Sequence, residues 1–66
     1  MTAPSRESID RALVAVERDE LLGICLACGE DYDGLLEPNA RNVECQGCGE
    51  LEVFGAEEIL LIATTL

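Results

Sequence analysis

The four cysteines of the chain occur in two copies of one short pattern. The first copy, Cys-Leu-Ala-Cys-Gly-Glu, occupies residues 25–30, and the second, Cys-Gln-Gly-Cys-Gly-Glu, occupies residues 45–50; we call them the first and second knuckle. Two residues separate the cysteines of each copy, so a sharp turn can bring both sulfur atoms onto one ion. Sixteen residues separate the pairs, a spacing typical of a four-thiolate metal site. The predicted metal ligands are Cys25, Cys28, Cys45 and Cys48.

A glycine follows the second cysteine of each knuckle, at Gly29 and Gly49. Glycine adopts the left-handed conformation needed after such a turn at the least cost. Two turns that face each other complete a tetrahedron of thiolates, which leaves no coordination position for water or substrate. We therefore predict one structural zinc ion per chain, with iron as the less favoured metal.

Two disulfides or a redox-active cysteine pair are the alternatives to a metal site. The start of the chain lacks the pattern of a secretion signal, and no apolar run approaches the roughly 18 residues of a membrane span. We therefore expect a cytoplasmic protein with no membrane contact. Disulfides are rare in a reducing cytosol, where paired cysteines more often bind metal. No βαβ pattern surrounds either knuckle, which disfavours a thioredoxin-like redox pair.

The elements that must position the knuckles begin with a helix predicted over residues 5–19. Ser5 can cap its first turn. Ile9, Leu13 and Val16 recur at i, i+4 and i+7, and Ala12 and Val14 widen this apolar side, so we expect it to face the core. Short strands are predicted over residues 21–26 and 51–54, with Gly55 ending the second.

A second helix is predicted over residues 56–65, and it has no fully polar face. Ile59 and Ile62 fall on one side of it, whereas Leu61 points the other way. A helix that is apolar all round is either wedged between layers or shared with another chain. A homodimer is therefore one predicted assembly, through Ile59, Leu61, Ile62 and Leu66.

The length of 66 residues predicts one domain, 1–66, near the size at which a core alone is marginal. Tyr32 and Phe54 are its only aromatic residues. The predicted fold is thus a small metal-stapled α+β domain. It has an N-terminal helix, two knuckle hairpins within residues 21–54, and a short C-terminal helix.

The two Cys-X2-Cys-Gly knuckles resemble those of zinc ribbons, in which two β-hairpins hold one zinc ion, over about residues 21–54. Glu-Pro-Asn-Ala-Arg at residues 37–41 and Val-Phe-Gly-Ala-Glu-Glu-Ile-Leu at residues 53–60 are also similar to small uncharacterised zinc-ribbon proteins of bacteriophages and prophages. That resemblance implies a phage or bacterial source, and hence a bacterial host cytosol. It brings no known activity.

The run Cys-Leu-Ala-Cys-Gly-Glu-Asp-Tyr-Asp at residues 25–33 resembles the first knuckle of rubredoxins. Rubredoxins carry single electrons on an iron held by four cysteines. The likeness fades beyond this run, because Gln46 stands where rubredoxins have proline and the chain contains no tryptophan. A rubredoxin-like electron carrier is therefore the alternative that the resemblance implies.

The charge of the chain separates the remaining function classes. Fourteen acidic residues against four arginines give a net charge of −10, and Arg41 is the only cation within residues 21–54. Such a surface repels phosphate backbones, so we expect no direct binding of nucleic acid. A ribbon that works inside a transcription or replication complex stays as an alternative, because that is a common role of zinc ribbons.

Catalysis is the least favoured class, since the chain has no histidine and no evident base beside its serines and threonines. We do not expect an enzyme. An acidic surface suits a basic protein partner. The sequence therefore predicts a non-enzymatic zinc-binding protein that acts through protein–protein interaction, as an adaptor or inhibitor, and as a regulator of a host protein if it is phage-encoded.

Overall fold

A computed structural model describes residues 3–32 and 34–65 of the chain. Within them the chain forms two helices and a small sheet, and the structure is α+β, as predicted. Leu66, one of the predicted dimer residues, lies outside the described part. The elements in chain order are α1 (Arg6–Glu17), β1 (Gly23–Cys25), β2 (Val53–Gly55) and α2 (Ala56–Thr65).

Helix α1 begins and ends close to the predicted bounds of 5–19. Ser5 caps its start, since the hydroxyl oxygen of Ser5 accepts a hydrogen bond from the backbone N–H of Ser8 at 3.1 Å. The helix ends where Asp19 takes a left-handed conformation with φ 59°. A capping side chain at one end and a left-handed residue at the other are the usual signals of helix termini.

The buried face of α1 differs from the predicted one. Ala12 is buried, as predicted, together with Ser8 and Ala15. Leu13, Val14 and Val16 are 47%, 45% and 37% exposed, so the prediction was wrong for these three. The physical reason is that α1 packs mainly against α2. Small side chains at the contact let two helices approach closely, and interaxial distance depends on such residues.

The sheet pairs the strand that enters the first knuckle with the strand that leaves the second. β1 and β2 are antiparallel, with Ile24 opposite Phe54. Both strands are shorter than predicted: residues 21, 22 and 26 lie outside β1, and Leu51, which is 58% exposed, lies outside β2. Gly55 belongs to β2 rather than ending it, and a Cβ there would lie 2.5 Å from the carbonyl oxygen of Pro38. The close approach of this loop therefore requires glycine.

Helix α2 matches the predicted range of 56–65 and covers the other side of the core. Leu61 is 57% exposed and points away from the core, as predicted. Ile59 and Ile62, which were predicted to reach a second chain, are buried within this one. The main core consists of Ala12, Ala15, Ile24, Leu26, Phe54, Ala56, Ile59 and Ile62.

The predicted knuckle hairpins are not confirmed. Around the first knuckle, pairing is limited to one isolated bridge, between Ile24 and Asp31. Around the second, one bridge joins Val43 to Val53. Neither bridge extends into a ladder within the described residues, and the regular pairing runs between β1 and β2 instead.

In residues 3–32 and 34–65, neither helix has the length and apolar character that crossing a membrane requires.

Candidate metal centre

The two knuckles fold into turns of nearly the same geometry. The N–H of Gly29 donates to the carbonyl oxygen of Cys25 at 2.8 Å, and the N–H of Gly49 donates to that of Cys45 at 2.9 Å. Gly29 and Gly49 have φ values of 81° and 79°. Both glycines are therefore left-handed, which is the conformation that the sequence pattern indicated.

A second hydrogen bond closes each turn further along the chain. The N–H of Cys25 donates to the carbonyl oxygen of Glu30 at 2.9 Å, and the N–H of Cys45 donates to that of Glu50 at 2.8 Å. These bonds hold the two cysteines of each knuckle on the same side of the turn. The local sequence is thus sufficient to explain how each knuckle presents its pair of sulfur atoms.

The four predicted ligand residues come together in space. Their Sγ atoms all lie within 4.8 Å of one another. Two separations between the knuckles are 3.7 Å, one from Cys25 to Cys48 and one from Cys28 to Cys45. All four cysteines are free thiols, and 3.7 Å is far longer than a disulfide bond of about 2.05 Å.

These separations fit a tetrahedral metal ion. A Zn–S bond of about 2.3 Å gives a tetrahedron whose edges are about 3.8 Å long. Two edges of the cysteine cluster measure 3.7 Å. The cluster could therefore hold one metal ion with modest movement of the side chains, although its shape does not distinguish zinc from iron.

The backbone around Cys45 stabilises a thiolate. The N–H groups of Cys48 and Gly47 point at the Sγ atom of Cys45, at 3.5 Å and 3.4 Å. These two hydrogen bonds are the main reason that the pKa of Cys45 falls to about 6. A thiolate is the form of cysteine that binds metal, so the lowered pKa of Cys45 favours binding of a metal cation.

Cys28 and Cys48 have the opposite shift in pKa. The backbone N–H of Glu30 lowers the pKa of Cys28, but desolvation and hydrogen bonds with the other three thiols outweigh it and raise the pKa to about 12. The backbone N–H of Glu50 lowers the pKa of Cys48, but desolvation and hydrogen bonds with the thiols of Cys25 and Cys45 outweigh it and raise that pKa. Four adjacent sulfur atoms resist sharing several negative charges, and a divalent cation removes that repulsion.

The cluster has an apolar side and an open side. Cys25 and Cys45 are buried and pack with Val53, whereas Cys28 and Cys48 are exposed. Tyr32, Leu36 and Val43 pack around the buried pair. The first cysteine of each knuckle thus joins the cluster to the protein interior, and the second faces outward.

Asn42 supports the second knuckle, although it was not among the predicted site residues. Asn42 has φ 51°, and its side-chain amide donates to the carbonyl oxygen of Leu51 at 3.1 Å. This bond ties together the two chain segments at the base of the second knuckle. Asparagine tolerates the left-handed conformation better than most residues, which is the signal that could have marked this position.

The fold and the cluster define a small α+β protein with four cysteines placed to bind a metal ion. The chain matches no family model, and comparisons with curated proteins and with solved structures found no similar protein. The resemblances to zinc ribbons, to phage proteins and to rubredoxins are therefore still predictions from sequence.

Proposed function

We propose that the chain is a zinc-stapled, non-enzymatic protein that works in the cytosol by binding a basic protein, as an adaptor or inhibitor. The observation that carries the metal part is the convergence of four sulfur atoms within 4.8 Å. Four thiolates fill the coordination sphere of zinc, and a closed site of this kind stabilises a fold rather than activating water. The ligands in this proposal are Cys25, Cys28, Cys45 and Cys48.

Metal analysis of the natively purified protein tests this assignment. We expect about one zinc ion per chain, bound through thiolates. A red protein that contains iron and has a reversible one-electron couple would replace zinc with the rubredoxin-like alternative. A protein that contains neither metal when purified under reducing conditions would reject the metal site.

The partner proposal rests on how the charges are distributed. The chain carries a net charge of −10. Three of its four arginines lie beside acidic side chains of the same chain, two in close ion pairs and Arg18 in a weak one, so little uncompensated positive charge faces an anionic ligand. The pairs are Arg11 with Asp31, Arg18 with Glu20 at 4.0 Å, and Arg41 with Glu58 at 3.1 Å.

An acidic surface whose cations are internally compensated favours a basic protein over nucleic acid. A pull-down from host lysate with the zinc-loaded protein, repeated over a series of salt concentrations, tests this choice. We expect a basic protein to be retained at low salt and after nuclease treatment, and to be lost as ionic strength rises. Tight, salt-sensitive binding of DNA or RNA by the purified chain alone would favour the nucleic-acid alternative.

A homodimer is a second candidate assembly, because Leu61 is a large apolar residue that is 57% exposed on α2. Since Ile59 and Ile62 are buried in the chain's own core, a dimer contact on this helix depends on Leu61. Leu61→Glu should then reduce the mass measured by light scattering. Leu35→Glu is the matched control, since Leu35 is 80% exposed and lies outside the helices. A monomer before substitution rejects the dimer.

A further inference from the structure

A groove lies between α1 and the segment that follows it. Its volume is about 360 Å³, within the range of pockets that hold small ligands or single side chains. Val14 and Leu22 supply its apolar surface, and Asp10, Arg11 and Glu20 are its charged lining residues. The groove is on a different part of α1 from the face that packs in the core.

The turn that ends α1 builds this groove. The N–H of Glu20 donates to the carbonyl oxygen of Ala15 at 2.8 Å, and Asp19 is left-handed with φ 59°. This is a Schellman arrangement, which reverses the chain direction at the end of a helix. Leu22 is also held in place, because its carbonyl oxygen accepts a hydrogen bond from the N–H of Ala56 at 3.1 Å. Both walls of the groove are therefore fixed by backbone hydrogen bonds.

The charges along the groove favour a cationic occupant. The guanidinium group of Arg11 is paired with Asp31, so it does not repel a second cation strongly. Arg18 approaches Glu20 only to 4.0 Å, and both side chains are more than half exposed. An exposed ion pair at this distance contributes little free energy, so a partner cation can replace it. Asp10 and Glu20 then remain as acceptors beside the apolar surface.

The helix dipole adds to this preference. Arg18 is the C-cap residue of α1, but the last turn itself contains no basic residue, and three acids, Glu17, Asp19 and Glu20, lie at or just beyond the C-terminal end. Acidic side chains are unfavourable at the negative end of a helix, where cations are stabilising. A positively charged group bound here removes that repulsion.

We propose that this groove binds a segment of a basic partner protein in which one aliphatic side chain is flanked by arginines or lysines. The aliphatic side chain covers Val14 and Leu22, and the cations face Asp10 and Glu20. This inference rests on the proposed function, to which it adds the position and chemistry of the contact. A second copy of the chain is a poor occupant, because it carries only four arginines and no lysine.

Nuclear magnetic resonance titration of the zinc-loaded full chain tests the proposal. The probe is a short blocked peptide with one leucine between two pairs of arginines, and its control has glycine in place of leucine. Burying one aliphatic side chain is worth enough that the leucine peptide should bind about tenfold more tightly. The largest changes in amide chemical shift should fall at Val14, Glu20 and Leu22.

Two variants on α1 separate the groove from general attraction to an acidic protein. Val14→Ser should remove most of the preference for leucine, because Val14 lines the groove and is 45% exposed. Leu13→Ser is the matched control, since Leu13 is 47% exposed and does not line the groove. It should leave the preference unchanged. Both variants alter exposed positions, and their amide spectra report whether the fold is retained.

Equal affinity for the two peptides overturns the groove proposal, and so does an equal loss of preference in Val14→Ser and Leu13→Ser. Either result leaves the salt-sensitive capture of a basic protein untouched. Failure of that capture, by contrast, rejects the proposed function even where the leucine peptide binds. The two proposals therefore fail in distinguishable ways.

Discussion

The two knuckles share their local geometry but differ in how they are attached to the rest of the molecule. Their glycines have φ values within a few degrees, at 81° and 79°, and their closing hydrogen bonds have nearly the same lengths. The first knuckle is continuous with β1, which pairs with β2 in the sheet. The second is followed closely by β2 and is flanked by the isolated bridge between Val43 and Val53, but none of its own residues belongs to a strand.

The residue after the first cysteine shows this difference most clearly. Leu26 is buried in the main core, and its N–H donates to the carbonyl oxygen of Glu52 at 2.8 Å. Gln46, at the same place in the second knuckle, is exposed. The first knuckle thus has two residues, Cys25 and Leu26, in buried packing, whereas the second has only Cys45, which packs with Val53. The second therefore depends more on hydrogen bonds and on the proposed metal. Motifs with the same cysteine spacing and turn geometry need not be equally stable.

Removing the metal should have the largest effect and should affect the knuckles unequally. Structural zinc contributes on the order of 10 kcal/mol in small zinc-dependent domains, so a strong chelator should unfold most of the chain. At limiting chelator, amide hydrogen exchange should accelerate first in residues 45–50, because the core still holds residues 25–30. Restoring zinc should reverse the change.

Simultaneous loss of protection in both knuckles would contradict this unequal attachment. Unchanged exchange after complete metal removal would contradict the structural role of the metal itself. At limiting chelator, before the chain unfolds, the amides in α1 are the internal reference, because the ends of α1 are closed by hydrogen bonds that do not involve the cysteines.

Local and long-range features of this structure differed in how far the sequence predicted them. The knuckle turns and the cysteine cluster were predictable, because spacing and the positions of Gly29 and Gly49 act over a few residues. The buried face of α1 was predictable only in part, since Ala12 is buried but Ser8 and Ala15 are buried in place of Leu13 and Val16 where α1 packs against α2. Helical periodicity cannot show which of two apolar stripes another helix will cover.

The pairing of β1 with β2 also could not be predicted from the sequence. Each strand has three residues, and Gly23 and Gly55, which pair with each other, are far apart along the chain. The knuckle motif suggests pairing within each copy, whereas the structure pairs the segments outside them. Register between such short strands is set by the core that they share, and not by local pattern.

Substitution of the residue after the first cysteine should have the next largest effect. Leu26→Ala removes a buried side chain from the core and should lower the free energy of unfolding by about 2–3 kcal/mol. Gln46→Ala, the matched change in the second knuckle, should cost less than about 0.5 kcal/mol because its side chain is exposed. Chemical denaturation in excess zinc measures both. Equal losses would show that both knuckles are anchored alike.

The smallest expected effect concerns the feature that the knuckles share. A Cβ at Gly29 or at Gly49 would meet no heavy atom within 4 Å, so alanine at either position introduces only left-handed backbone strain. Gly29→Ala and Gly49→Ala should each lower the free energy of unfolding by about 1–2 kcal/mol in excess zinc. Because the two φ values nearly coincide, the two losses should agree.

Asparagine at the same positions provides the control, because its side chain makes the left-handed conformation less costly than it is for alanine. Gly29→Asn and Gly49→Asn should therefore be more stable than the corresponding alanine variants, by similar amounts. If alanine were harmless at Gly49 but costly at Gly29, the second turn would adopt another conformation in solution. The knuckles would then differ in local geometry as well as in their attachment to the core.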